Sequence, residues 1–185
     1  MKEFEGKVAL VTGGGSGIGR ATAVAFAREG AHVVIGNRNV ERGEETVSMI
    51  RETGGNARFQ RTDVMVAADV EALIEHAMKT CKTCGRLDVA FNNAGIEGEV
   101  KPTVIDDTEA NFDAVMDVNV KGVWLSMKYE IPQMLKTGGG AIVNCSSVAG
   151  VIGFPRIGLY SASKLKPLHW NFPRKGFAST QSTPQ

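Results

Sequence analysis

The chain has 185 residues, 43% hydrophobic and 22% charged, enough for one domain with a buried core. Its formal net charge of +1 offers no basic field to nucleic acid or to an anionic membrane, so a small-molecule role is favoured. No apolar run approaches the ~20 residues of a membrane helix, no secretory leader is visible behind Met1, and three cysteines do not make a disulfide framework, so the expected setting is cytoplasmic.

The predicted elements alternate strand and helix. Lys7–Thr12 is an apolar run ending in glycines, read as a buried strand. Apolar residues at helical spacing from Ile18 to Glu29 predict a helix stopped by Gly30. Ala31–Ile35 is the second strand; Val40, Val47 and Ile50 mark a helix closed by Gly54-Gly55; Arg58–Thr62 is the third strand. Val70, Leu73, Ile74 and Ala77 mark a helix ending near Gly85, and the strand Leu87–Phe91 runs into Asn92-Asn93-Ala94-Gly95. A long helix is expected from about Thr108 to about Leu135, kinked or broken at Pro132. After a glycine turn come the strand Ala141–Asn144 and a helix starting near Gly158. This alternation predicts an α/β fold of βαβ units, a doubly wound parallel sheet over residues 1–164. Residues 165–185 hold Pro167, Pro173 and Pro184 and no sustained period, and read as an irregular tail.

Thr12-Gly13-Gly14-Gly15-Ser16-Gly17-Ile18-Gly19 joins the first strand to the first helix. Such a turn lets backbone N–H groups and a helix N-terminus approach a phosphate. It fits T-G-x-x-x-G-x-G; it fits neither G-x-G-x-x-G nor a P-loop. By composition alone it would equally be an ordinary flexible strand–helix turn; its place after a strand and at the opening of a helix, near the N-terminus, favours a dinucleotide. Gly36-Asn37-Arg38, after the second strand, lacks the acidic residue that reads an NAD ribose, and Arg38 suits a 2′-phosphate unless it is merely a solvated arginine. Cys81 and Cys84 form a lone C-x-x-C without a second ligand pair, so no metal site is expected; Cys145 reads as a small core residue.

Tyr160 and Lys164 stand at i and i+4, on one helix face. An ammonium beside a phenol favours the phenolate, which suits a general acid/base. Ser147 lies at the end of the fifth strand, where parallel sheets bind ligands. Asn119 falls inside the long helix, where asparagine is unfavourable unless it has a task or simply faces solvent.

In this order and spacing, Thr12–Gly19, Asp63, Asn92-Asn93-Ala94-Gly95, Asn119, Ser147, Tyr160 and Lys164 resemble the classical short-chain dehydrogenase/reductase family over residues 5–164. The resemblance implies a Rossmann-like sheet and hydride transfer between NADP(H), or else NAD(H), and a carbonyl or secondary alcohol. It also implies roles. Gly13, Ser16, Gly17, Ile18 and Gly19 would line the pyrophosphate, Asp63 and Val64 the adenine. Asn92, Ala94 and Gly95 would pass the adenosine ribose and brace the sheet. Tyr160 would exchange the proton, Lys164 would hold the nicotinamide ribose and tune Tyr160, Ser147 would steady the reacting oxygen, and Asn119 would support a proton-relay water. Arg38 would turn the preference to NADP(H).

The tail departs from the family. Members run to about 250 residues. Beyond Lys164 the sequence Leu165-Lys166-Pro167 interrupts the helix, and no later segment reads as a strand. The expectation is a C-terminally truncated member of five strands in order 3-2-1-4-5, lacking the last two, with an exposed fifth strand and an incomplete substrate pocket. A family-like homo-oligomer would lack part of its interface. The other reading is a catalytically impaired dinucleotide-binding or interaction module.

Overall fold

The central strand shows why the sheet is parallel. Val8–Thr12 (β1) is buried at all five positions, as a strand with helices on both faces must be. A computed structural model of the chain describes residues 2–80, 85–165 and 177–182. Helix Gly17–Arg28 (α1) leads to strand His32–Asn37 (β2), helix Val40–Glu52 (α2) to strand Asn56–Arg61 (β3), and helix Ala67–Met78 (α3) to strand Val89–Asn92 (β4). Helix Glu109–Met116 (α4), a π-helical turn Asp117–Lys121 and helix Gly122–Lys136 (α5) run on without a break, followed by strand Gly140–Cys145 (β5), helix Gly158–Lys164 (α6) and strand Phe177–Ser182 (β6). Cys81, Cys84, Pro167, Pro173 and Pro184 lie outside the described residues.

The sheet order is β3-β2-β1-β4-β5-β6, and every pairing is parallel. The first five strands take the expected order. The sixth is a correction: Phe177–Ser182, inside the stretch read as irregular, pairs with β5 in full register from Gly140↔Phe177 to Cys145↔Ser182. Strand pairing uses backbone groups, and an open edge recruits a segment whose side chains carry no alternation. β5 is therefore an interior strand.

A second correction concerns the long helix. The sequence places the irregularity at Pro132, yet α5 passes through Pro132 to Lys136. The helix changes its winding at Asp117–Lys121 instead, around Asn119. One extra residue per turn is the usual signature of a π-turn kept for a site.

Two apolar layers clamp the sheet. Leu10, Val34, Ala90 and Ile142 pack under α3 and α5 with Leu73 and Met134. Val11, Val33, Ile35 and Phe91 pack under α1 and α2 with Ala23, Val47 and Ile50. Both layers hold the strands' carboxyl ends at one edge of the sheet, and the candidate residues project there.

Candidate active site

The glycine turn follows β1 directly. Gly13 has φ +68°, and a Cβ there would meet the Ala94 backbone at 2.9 Å. Gly19 in the first turn of α1 allows a closer approach still, since a Cβ there would run into the Gly13 carbonyl oxygen. Asn93 locks this contact by donating from Nδ2 to the carbonyls of Thr12 and Gly13, both at 3.2 Å. The Thr12 hydroxyl accepts from the Asn93 and Ala94 N–H groups. Arg20 holds the outer lip, its guanidinium donating to the Gly15 carbonyl at 2.6 and 3.2 Å. No side chain caps the amino end of α1, so its first N–H groups remain open to an anion.

A cleft of about 450 Å³ opens above this turn. Of the sequence candidates it is lined by Gly13, Ser16, Gly17, Ile18, Arg38, Asp63, Val64, Ala94 and Gly95. Asn37, Arg42, Ile96 and Val118 also line it and were not singled out by the sequence. Arg42 is legible only once α2 is placed, because Asn39 caps that helix and turns its first turn toward the cleft. Asn37 donates from Nδ2 to the Asn39 carbonyl at 2.9 Å and stands where an acidic ribose reader would stand. Asp63 accepts from the Met65 N–H at 3.0 Å, which fixes the loop after β3.

Gly19 and Asn92 do not line the cleft. Gly19 serves the turn from beneath, as its close contacts show. Asn92 is 2% exposed and turns its amide inward to Glu130 and Asn144.

A second hollow of about 290 Å³ shares Asn93, Gly95 and Ile96 with the cleft and is lined also by Glu97, Cys145, Tyr160 and Lys164. Lys164 is buried; its Nζ donates to the Cys145 carbonyl at 3.1 Å and lies 5.8 Å from the Tyr160 ring centroid. Burial pulls the Lys164 ammonium below its ordinary value, opposed by the neighbouring Cys145 thiol. Burial in turn pushes the half-buried Cys145 thiol up. Gly95 admits the lysine: a Cβ there would sit 3.2 Å from both Lys164 Nζ and Asn119 Oδ1.

Asn119 bridges two walls. Its Oδ1 accepts from the Ile96 N–H at 2.9 Å, and its Nδ2 donates to the Ile96 carbonyl and to Ser163 Oγ, both at 2.8 Å. The π-turn aims this amide at α6 and at the loop after β4 together. Ser147 is turned elsewhere: its hydroxyl accepts from the Ala149 N–H at 3.2 Å and caps the short 3-10 turn Val148–Gly150. Among the described residues no hydrogen bond joins Ser147 to Tyr160, and Ser147 does not line the hollow.

The model of the short chain dehydrogenase family matches residues 7–167, from the start of β1 to just past α6. This chain belongs to that family. An uncharacterised oxidoreductase of Thermotoga maritima is 50% identical over 163 residues, which cover 87% of this chain and 61% of that protein. A cyclohexanol dehydrogenase of an Acinetobacter species is 44% identical over 162 residues, covering 88% and 63%. The crystal structure of NAD+-bound xylitol dehydrogenase superposes with a TM-score of 0.83 at 37% identity, covering 88% and 61%. The chain thus spans about three fifths of the length of the relatives it matches. Among the described residues no helix is long and apolar enough to cross a membrane.

Proposed function

We propose that this chain is the dinucleotide-binding and proton-exchanging part of an oxidoreductase that interconverts a carbonyl and a secondary alcohol. One observation carries the reading: the hollow holding Tyr160 and Lys164 shares a wall, Asn93, Gly95 and Ile96, with the cleft above the glycine turn. A ligand lying along the strand ends would reach both.

The residues fit a nicotinamide dinucleotide. Gly13 and Gly19 keep the cradle free of side chains, and the uncapped end of α1 offers N–H donors to a pyrophosphate. Asp63 and Val64 flank the adenine end, and Arg38 with Arg42 lines the same end of the cleft. With no carboxylate at Gly36 or Asn37, two guanidinium groups favour a 2′-phosphate, hence NADP(H) over NAD(H). Hydride chemistry is what such a cofactor supplies when bound. Tyr160 Oη gives a proton to the substrate oxygen in reduction and takes it back in oxidation. Lys164, anchored on the Cys145 carbonyl, offers its remaining donors to the ribose side of the hollow and keeps positive charge near the Tyr160 ring. Asn119 fixes the Ile96 backbone against α6, so the hollow keeps its width.

The test is direct. Fluorescence titration of the chain with NADPH and NADH should give saturable binding, tighter for NADPH. A panel of ketones, assayed with the chain joined to a family-like C-terminal third, should give at least one substrate. Absence of dinucleotide binding would overturn the reading.

A binding module without turnover is the second reading, and the Ser147 geometry favours it. Ser147 does not line the hollow that holds Tyr160 and Lys164, and its hydroxyl accepts from the Ala149 N–H while keeping its own proton to donate. Saturable dinucleotide binding with no ketone reduction by the 185-residue chain would select this reading for the chain as it stands.

A further inference from the structure

One buried acid lies outside everything described so far. Glu130 in α5 is fully buried, 0% exposed, on the face that packs against the sheet. Its Oε2 accepts from Asn92 Nδ2 at 3.1 Å, and the same nitrogen donates to Asn144 Oδ1 at 3.0 Å. Asn92 and Asn144 are register partners across β4 and β5. Asn92 ends β4, and the loop after it, Asn93 to Gly95, locks the glycine turn and makes room for Lys164. Asn144 precedes Cys145, whose carbonyl anchors Lys164 Nζ. One carboxyl group thus holds the Asn92 amide that ties together the ends of β4 and β5, the two strands that lead into the lining of the hollow.

We propose that Glu130 is a positioning residue: through Asn92 and Asn144 it sets the ends of β4 and β5, and with them the two supports of Lys164. This rests on the proposed dinucleotide reading only for its effect on ligand binding, not for the coupling itself.

Chemistry says in which form it works. Glu130 Oε1 and Asn92 Oδ1 are both buried acceptors with no hydrogen-bond partner among the described residues, so the network is short of donors. A proton on the carboxyl group adds a donor and removes a charge that nothing offsets. The elements packed against α5 carry other titratable groups. On α3, Asp69 pairs with Arg61, Glu75 pairs with Lys79, Glu71 is exposed, and His76 lies beside Arg58 and Lys79. Before β4, Asp88 is bound to Lys7 and Arg86; after β5 come Cys145 and Lys164; Lys128 and Lys136 on α5 itself are exposed. None of these acts on Glu130. Burial alone raises it to about 7, opposed only by the Asn92 donation. The neutral acid therefore prevails below neutrality, and the ionised form strains the two strand ends above it.

The experiment is a pH titration, from 5.5 to 8.5, of backbone amide resonances of the full 185-residue chain without any dinucleotide, in the parent and in Glu130→Gln. The amide keeps the shape, stays neutral and supplies the missing donors. Amides of Ala94, Gly95 and Ser146 should shift together with one midpoint near 7 in the parent, and that transition should vanish in Glu130→Gln. A transition confined to α5, or one that survives in Glu130→Gln, overturns the proposal. NADPH affinity, measured alongside in both proteins so that titration of the 2′-phosphate cancels, should weaken severalfold in the parent relative to Glu130→Gln across the same midpoint. A chain that shows the amide transition yet binds no dinucleotide would refute the proposed function and leave the coupling standing.

Discussion

The two halves of the site are held in different ways. The glycine turn is gripped from every side: by Asn93 and Thr12, by Arg20, and by the Gly13 N–H donating to the Gly36 carbonyl at 2.8 Å. The half that carries Tyr160 and Lys164 rests on a seven-residue helix reached through Val151–Arg156, all exposed. Val151, Ile152 and Phe154 there are 69%, 54% and 40% exposed, and an apolar hollow of about 210 Å³ lies behind Lys164 against Val123, Trp124 and Met127. Among the described residues its side-chain hydrogen bonds to the rest of the fold are Lys164 Nζ on Cys145, Ser146 Oγ donating to the Lys164 carbonyl at 3.1 Å, and Ser163 on Asn119. On the proposed reading, the binding geometry is built into the gripped glycine turn, while the reaction geometry rests, among the described residues, on these three hydrogen bonds. A loosely held reacting group costs rate long before it costs affinity.

The sharpest way to break that comparison is at Tyr160. Tyr160→Phe keeps the ring over Lys164 but has no proton to give. In the chain joined to a family-like C-terminal third, turnover should fall by about 10²–10⁴-fold, with NADPH affinity nearly unchanged. Equal turnover of variant and parent in a steady-state ketone assay would remove the proposed mechanism.

Next in size is a stability effect that links the halves. Glu130 has its folded value raised from an ordinary 4.5 to about 7 by burial. An acid whose folded value is raised contributes stability that is fully present below 4.5 and lost as pH climbs through about 7. The whole swing is on the order of 3 kcal/mol. Urea denaturation midpoints of the chain should fall between pH 5 and 7.5, and that component should be missing in Glu130→Gln. Parallel curves for the two proteins would mean that the acid ionises freely in the fold.

Two added methyl groups separate binding from reaction. Gly19→Ala drives a Cβ into the Gly13 carbonyl, in the gripped half. Overpacking of this kind costs about 1–3 kcal/mol, and it should appear as lost NADPH affinity in a fluorescence titration. Gly150→Ala directs its Cβ into the Lys164 carbonyl, so α6 must move. Its penalty should fall mainly on turnover, with the glycine turn undisturbed. The comparison fails if Gly150→Ala weakens cofactor binding as much as Gly19→Ala does.

Much of this was legible in the sequence, for reasons that differ between regions. β1, β2, β4 and β5 carry short apolar runs because both faces of a parallel sheet are covered, the edge strand β3 (Asn56–Arg61) is mostly polar, and the glycine turn announces itself by position. β6 was not legible: Phe177–Ser182 joins by backbone pairing along an open edge, and its residues carry no alternation to read. Pro132 misled, because a proline inside a packed helix removes one bond without ending the helix, while the π-turn at Asn119 leaves no compositional mark. Asn119 stood out only as an asparagine misplaced in a helix. Asn93 stood out only as one letter of the Asn92-Asn93-Ala94-Gly95 motif, and Arg20 and Glu130 carried no signal, since their bonds to Gly15 and Asn92 exist only after folding.

The smallest expected effect tests the adenine end of the gripped half. Arg38 is exposed and lines the cleft with Arg42, near Asn37 where an acidic ribose reader would stand. An exposed guanidinium paired with a phosphate is worth modest energy, and Arg42 shares the load, so Arg38→Ala should reduce the preference for NADPH over NADH by about tenfold. The change should appear in NADPH affinity alone, because NADH has no 2′-phosphate to lose. Added salt should shrink the difference between parent and variant, as screening requires for an exposed pair. Arg38→Ala together with Asn37→Asp goes further: the carboxylate can accept from both ribose hydroxyls and repels the phosphate, so the preference should invert toward NADH. Titration of the parent, the single and the double variants with both cofactors at two salt concentrations decides the matter. Unchanged NADPH affinity in Arg38→Ala would assign the phosphate to Arg42, or return the arginine to the solvent.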